Sequence, residues 1–158
     1  MSLSSMWDKG FKLVERDGIT AAVISNNKIL LIRRRNMPFL MSHPNMWLLV
    51  SGAKERNETH LDAAYREIEE ELGIGKQHLK LIGFIKNILL IEDRWRKMWY
   101  NDFYVFRSDT NVIRFGGMEN KEYRWVTLTE FKGYDDPKRA EADYDRIIEL
   151  IHKVLLRR

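Results

Sequence analysis

The sequence predicts an α/β protein in which a mixed β-sheet lies between helices. Runs rich in β-branched residues, bounded by turn formers, alternate with helical segments along the chain. Residues 60–72 carry apolar side chains at helical spacing, and so does the stretch after residue 137. A chain that passes from strands to a helix, then to more strands and a final helix, is expected to pack its helices against a sheet.

The composition fits one domain spanning residues 1–158. The chain has 158 residues, of which 44% are hydrophobic, and this length suits a single core. The absence of cysteine excludes disulfides and thiolate metal sites, and it is compatible with the cytoplasm. No apolar run approaches the ~18 residues of a membrane span, and no secretory signal is present. We therefore expect a cytoplasmic protein with no membrane partner.

The net charge of +4 leaves the ligand open. The stretch from residue 52 to residue 74 is acidic, so the positive charge lies elsewhere in the chain. An excess of this size suits polyanionic ligands, from nucleotides to RNA, but many proteins have it without such a partner.

The first third of the chain is predicted to form strands. We place them at residues 11–14, 19–25 and 28–35, with a hairpin turn at Asn26-Asn27. Residues 36–45 contain two prolines and form either a substrate lip or a tucked-in surface loop. A short strand over residues 47–51 then leads the chain to Gly52.

A helix is predicted over residues 60–72. Thr59 is a suitable N-cap with Asp62 three residues on, and Gly73 stands where a left-handed residue ends a helix. The apolar side that should pack on the sheet consists of Leu61, Ala64, Tyr65, Ile68 and Leu72.

Three carboxylates gather on the neighbouring side of this helix. Glu67, Glu70 and Glu71 are spaced i, i+3 and i+4, so their charges repel one another. A divalent cation would turn that repulsion into coordination, because Mg²⁺ takes oxygen ligands and binds through a few carboxylates together with substrate phosphates. The alternative is an ordinary solvated acidic face.

Residues 52–74 resemble the signature of the Nudix hydrolases, Gly-x5-Glu-x7-Arg-Glu-U-x-Glu-Glu-x-Gly-U, where U is aliphatic. The matching positions are Gly52, Glu58, Arg66, Glu67, Ile68, Glu70, Glu71, Gly73 and Ile74. One departure precedes the motif: relatives usually have Pro-Gly-Gly there, whereas this chain has Val50-Ser51-Gly52. The effect of this departure on the loop geometry at Ser51 stays open.

The resemblance implies an α/β/α sandwich and hydrolysis of a diphosphate bond in a nucleoside diphosphate linked to another moiety, with Mg²⁺ or Mn²⁺ as cofactor. It implies that Glu67 and Glu71 are direct metal ligands and that Glu70 is a ligand or a base. Arg66 is expected to take part in the catalytic site by orienting the acids through ion pairs. The outer shell is expected to contain Gly52 and Glu58.

Further residues are assigned by the same resemblance. Arg34 matches an arginine that contacts substrate in relatives, although the arginines at 33–35 also suit an ordinary charged strand end. After the glycine pair at 116–117, Glu119 is our first choice and Glu122 our second for another metal ligand or the general base. Both are expected to precede a strand over residues 123–127, and each also suits a solvated loop acid. The base is thus open among Glu70, Glu119 and Glu122.

The rest of the chain is predicted to complete the sheet and its second helix layer. Strands over residues 79–91 and 98–107 should form a hairpin, with Trp95, Trp99 and Tyr100 near its tip. These aromatic groups suit base stacking, but core packing or a dimer contact is the preferred interpretation. A last helix beginning at residues 135–137 should close the core on the face of the sheet opposite the first helix.

The competing hypothesis is a nucleotide-sensing or RNA-binding module on the same fold. A domain that only binds has no need of three crowded carboxylates, which favours the enzyme. The sequence selects neither the particular nucleoside diphosphate derivative nor the oligomeric state, for which a homodimer is an option.

Overall fold

The computed structural model describes residues 14–36, 45–92, 97–134 and 141–157. Its elements, in chain order, are β1 (Val14–Ser25), β2 (Lys28–Arg34), β3 (Trp47–Leu48), β4 (Val50–Ala53), α1 (His60–Leu72), a 3₁₀ turn (Lys76–His78), β5 (Leu79–Glu92), β6 (Lys97–Ser108), β7 (Asn120–Val126), α2 (Leu128–Lys132) and α3 (Glu141–Leu156). The predicted mixed sheet between helices is confirmed. None of the helices in these ranges is long and apolar enough to cross a membrane.

β1 is the central strand of the sheet. It runs parallel to β6 along its length and antiparallel to both β2 and β4. β5 pairs with the outer edge of β6, and β7 pairs with the outer edge of β2. Because β3 pairs with β2 while β4 pairs with β1, residues 47–53 lie between those two strands and change partner at Leu49. This places Ser51 and Gly52 inside the sheet, where β4 contacts α1.

The turn between β1 and β2 is the predicted hairpin. Asn26 and Asn27 have φ values of 51° and 60°, so both central residues lie in the left-handed region. Asparagine tolerates that region better than most residues, and this pair of conformations matches the twist of the two strands. The hairpin fixes the register in which Ile24 faces Ile29.

The two faces of the sheet bury separate apolar layers. Alternate residues of β1 point to opposite faces, so Ala21 and Val23 contact the layer under α1, whereas Ala22 and Ile24 contact the layer under α3. α3 buries its apolar stripe through Ile147, Ile151 and Val154. The predicted position of the last helix, opposite α1, is confirmed.

Several predicted boundaries are wrong. β1 continues through residues 15–18, where a break was expected, because these residues pair with β6. At Gly18 a side chain would come within 2.6 Å of the Gly52 carbonyl oxygen, so glycine permits the close pairing with β4. The strand expected over residues 47–51 is two strands, and β7 begins at Asn120 rather than at residue 123.

One element was missed, and four predictions lie outside the described residues, the first being the substrate lip or tucked-in surface loop over residues 36–45, of which 37–44 are not described. The short helix α2 has a capping box between Thr127 and Glu130, a Thr-x-x-Glu pattern that is visible in the sequence. The predicted start of the first strand at residues 11–13, the position of Trp95 and the start of the last helix at residues 135–137 are not described. Trp99 packs against the apolar layer under α3, as preferred, and Tyr100 is 42% exposed.

Candidate active site

Local capping fixes both ends of α1, as predicted. The Thr59 side chain accepts a hydrogen bond from the Asp62 backbone N–H at 3.0 Å, and the Asp62 carboxylate accepts one from the Thr59 N–H at 3.3 Å. At the other end Gly73 has φ 70° and donates its N–H to the Glu69 carbonyl. These caps define where the helix begins and ends, and the burial of its apolar side then sets the direction in which its acidic side faces.

Glu67 is more deeply placed than Glu70, its neighbour one turn along the helix. Its side chain is 13% exposed, whereas that of Glu70 is 57% exposed. Gly52 makes room for it, because a Cβ atom at that position would overlap the Glu67 carboxylate. The glycine is thus required for space at this point of β4.

Arg66 joins the acids into one network. Its guanidinium donates to Glu58 at 2.7 and 3.0 Å, to Glu67 at 2.9 Å and to Glu70 at 3.2 Å. It also donates to the Ala53 carbonyl at 3.0 Å, which ties the helix to the end of β4. Arg66 is therefore ion-paired with three of the predicted site residues.

The network shifts the pKa values of its members in opposite directions. The hydrogen bonds from Arg66 lower the pKa of Glu58 to about 2, and the same bonds raise the pKa of Arg66. Burial raises the pKa of Glu67, Arg66 partly opposes that rise, and the nearby charges of Glu70 and Glu119 add to it. Glu119, distant in sequence, thus acts electrostatically on Glu67.

The acids face a cavity of about 590 Å³. Its walls are formed by Arg34, Ser51, Gly52, Glu67, Glu70, Glu71, Gly116, Gly117, Met118, Glu119 and Asn120. The structure therefore brings together six of the predicted residues: Arg34, Gly52, Glu67, Glu70, Glu71 and Glu119. Glu58 and Arg66 lie behind the carboxylates and do not line the cavity.

The two candidate acids near β7 differ in position: Glu119 lines the cavity and Glu122 does not. Glu119 directly precedes the strand, and its carbonyl oxygen accepts the Arg35 N–H at 2.7 Å. Glu122 lies within β7, outside the cavity lining, and pairs with Arg33 at 2.8 Å. The expectation that Glu122 precedes the strand is wrong, because β7 pairs with β2 as far as Asn120.

The cavity also contains residues that the sequence did not single out. Met118 and Asn120 line it, together with Gly116 and Gly117. Ser51 lines it as well, and the sequence marked that residue only as a departure from the usual motif. Ser51 and Asn120 each adjoin a predicted site residue. The signal available in the sequence was therefore adjacency to Gly52 and Glu119.

The donor set suits a hard divalent cation. Within residues 14–36, 45–92, 97–134 and 141–157, no three His, Asp or Glu side chains are drawn together around a single point that could hold an ion. Mg²⁺, however, usually keeps several waters and takes only one or two protein carboxylates together with substrate phosphates. Glu67, Glu70, Glu71 and Glu119 line one cavity and provide oxygen donors of that kind.

Comparison with known proteins identifies the family. Residues 15–151 match the NUDIX domain, so the chain belongs to the Nudix family, whose members typically use a divalent metal. It is 27% identical over 144 residues to the RNA pyrophosphohydrolase of Pelagibacter ubique (strain HTCC1062), covering 78% of this chain and 83% of that protein.

Two solved structures show the same fold. The chain is similar to a C. elegans Ap4A hydrolase in a binary complex, with a TM-score of 0.67, 16% identity, and coverage of 87% of this chain and 93% of that one. It is also similar to the NUDIX domain of Shewanella oneidensis NrtR in complex with ADP ribose, with a TM-score of 0.65, 17% identity, and coverage of 98% and 99%.

Glu58→Gln should destabilise the protein by ~1–2 kcal/mol at pH 7, because it weakens charged hydrogen bonds to Arg66. The pKa of Glu58 falls on folding from 4.5 to about 2, so its stabilisation is fully present above pH 4.5 and is lost as the pH falls through about 2. Urea unfolding at several pH values measures this. The difference from the wild type should begin to narrow below about pH 4.5.

Glu55→Gln is the matched control, because the Glu55 side chain is 70% exposed and lies 3.7 Å from Arg66. It should cost less than ~0.5 kcal/mol, as exposed ion pairs usually do. Equal destabilisation by the two variants would contradict the claim that the hydrogen bonds between Glu58 and Arg66 stabilise the fold.

Proposed function

We propose that this protein is a divalent-metal-dependent pyrophosphohydrolase that cleaves a diphosphate bond in a nucleoside diphosphate linked to another moiety. The observation that carries the proposal is the cavity in which Glu67, Glu70, Glu71 and Glu119 face a common space that also contains Arg34. Membership of the Nudix family supports it.

The metal would be held by Glu67 and Glu71, with Glu70 as a further ligand. When bound there, Mg²⁺ or Mn²⁺ would neutralise phosphoryl charge and acidify the attacking water. Arg34 binds a phosphate oxygen, because its guanidinium offers paired donors that match phosphate. Arg66 and Glu58 keep the helix acids oriented behind these contacts.

Glu119 is our choice for the general base. Water attacks phosphorus, the bridging oxygen leaves with its electron pair, and the proton of the water passes to the Glu119 carboxylate. The position of this residue supports the role, because it reaches the cavity from a loop separate from α1. Glu70 is the alternative base on the helix itself.

The choice of test substrates follows from the relatives. The Pelagibacter relative is named an RNA pyrophosphohydrolase, and its similarity to this protein extends over most of both chains. RNA with a 5′ triphosphate is therefore the first candidate. Ap4A and ADP-ribose are the next, since they belong to the names of two structurally similar proteins. The net charge of +4 is compatible with all three anions.

Hydrolysis of at least one of these compounds should require Mg²⁺ or Mn²⁺, because the proposed ligands and the substrate are all anionic. Product release measured with each metal, and with excess EDTA, tests this. Ca²⁺ should support binding better than turnover, since its looser coordination orients water poorly. Full turnover in EDTA, after confirmed metal removal, would contradict the proposal.

The same assay separates an enzyme from a binding module. A nucleotide-sensing or RNA-binding module would bind one of these compounds stably in Mg²⁺ and leave it intact. The structure of a NUDIX domain with ADP ribose makes ligand binding a necessary second readout. Stable binding without product would favour the module.

Glu119→Gln should lower kcat by ~10²-fold or more, with a smaller effect on KM, because general-base removal acts on the chemical step. The rise of rate with pH should also flatten. Glu122→Gln is the control: it removes a neighbouring charge outside the cavity and should leave the rate near that of the wild type. If both variants remain active, Glu70 becomes the remaining base.

A further inference from the structure

The loop that carries Glu119 is seated on the C-terminal turn of α1. The Arg114 N–H donates to the Leu72 carbonyl oxygen at 2.8 Å. That carbonyl belongs to the last turn of the helix, where carbonyl oxygens lack partners within the helix. At its far end the loop is held by the Arg35 N–H, which donates to the Glu119 carbonyl oxygen at 2.7 Å.

Gly116 lies where the loop approaches the helix backbone. A Cβ atom there would overlap the Glu70 carbonyl oxygen, at a separation that real side chains do not show. The Gly116 backbone is not in the left-handed region, so the position needs glycine for space and not for its conformational freedom. Gly117 differs, because a Cβ atom there would meet nothing within 4 Å.

The contact links two parts of the same cavity. Glu70 and Glu67 project from α1 into the space that Glu119 enters from the loop. Gly116 touches the backbone of Glu70 and stands three residues before Glu119. A Cβ atom at Gly116 would displace the loop by on the order of 1 Å, and a misplacement of that size can cost ~10²-fold in rate.

We propose that Gly116 is a positioning residue, whose close contact with the Glu70 backbone seats the loop so that Glu119 faces the acids of α1. This inference rests on the proposed hydrolase function, because it assigns Gly116 an effect through Glu119. The effect is expected on the chemical step, because the loop that Gly116 seats carries the proposed base, Glu119.

The test compares Gly116→Ala with Gly117→Ala, which stiffens the same loop without a clash. The assay uses Mg²⁺ and whichever of the three candidate compounds (5′-triphosphate RNA, Ap4A or ADP-ribose) the wild type hydrolyses. In it, the kcat of Gly116→Ala should be ~10- to 100-fold below that of Gly117→Ala. KM should differ by less than ~3-fold. In the Glu119→Gln background, Gly116→Ala should have little further effect, because residues that act as a unit are not additive.

Amide hydrogen exchange gives a readout that is independent of activity. In the wild type the Arg114 amide should be protected, because it is hydrogen-bonded to Leu72. Gly116→Ala should lose that protection, and Gly117→Ala should keep it. This measurement on the wild type decides the seating of the loop even if Gly116→Ala does not fold.

Four results would overturn the proposal. They are an unprotected Arg114 amide in the wild type, equal kcat values for the two glycine variants, a full additional loss on Gly116→Ala in the Glu119→Gln background, and a normal rate for Glu119→Gln itself. A wild-type protein that binds the three candidate compounds but hydrolyses none of them would instead refute the proposed function. Hydrogen exchange at the Arg114 amide would still test whether the loop is seated on α1.

Discussion

The Arg66 guanidinium is the interaction on which the acidic edge of α1 depends. It bonds simultaneously to Glu58, Glu67 and Glu70 and to the Ala53 carbonyl. Crowded carboxylates repel one another, and burial makes that repulsion stronger. A planar group with five donors can join three acids and a carbonyl, whereas a lysine has three donors on a single nitrogen. Arginine is therefore the residue that this geometry requires.

Glu67 is an ionisable group in a largely buried position. Burial raises the pKa of this residue, which means that the fold disfavours its charged form relative to water. The apolar layers on the two faces of the sheet compensate, since Ile68, Leu72 and Ile151 are fully buried. An ionisable group with a raised pKa at the wall of a cavity is typical of functional sites. The site thus relies on a stable scaffold below it.

Beyond the general layering of sheet and helices, the details of the fold that the sequence predicted correctly are set by local interactions. The bounds of α1 follow from Thr59, Asp62 and Gly73, each of which acts within one turn of the helix. The separation of its apolar and acidic sides follows from helical periodicity. The Asn26-Asn27 turn was predictable for the same reason, because its residues determine its conformation.

The errors arise where pairing between distant segments decides the structure. β7 extends back to Asn120 because β2 offers a partner as far as Arg34, and this moves Glu122 into a strand beside Arg33. The same pairing leaves Glu119 at the cavity. The contact of Gly116 with the Glu70 backbone was not predicted, because it exists only when the loop is placed on α1. No local pattern carries that information.

The central claim, that the acids of α1 form a metal site, is tested most directly by titrating the protein with Mn²⁺ alone and measuring free Mn²⁺ by electron paramagnetic resonance. Glu67→Gln and Glu71→Gln should each weaken Mn²⁺ binding by at least ~10-fold relative to the wild type. Glu69→Gln removes the same charge from an exposed position of the same helix and should bind as the wild type does. Equal affinities in all four proteins, or an equal loss in all three variants, would contradict the claim.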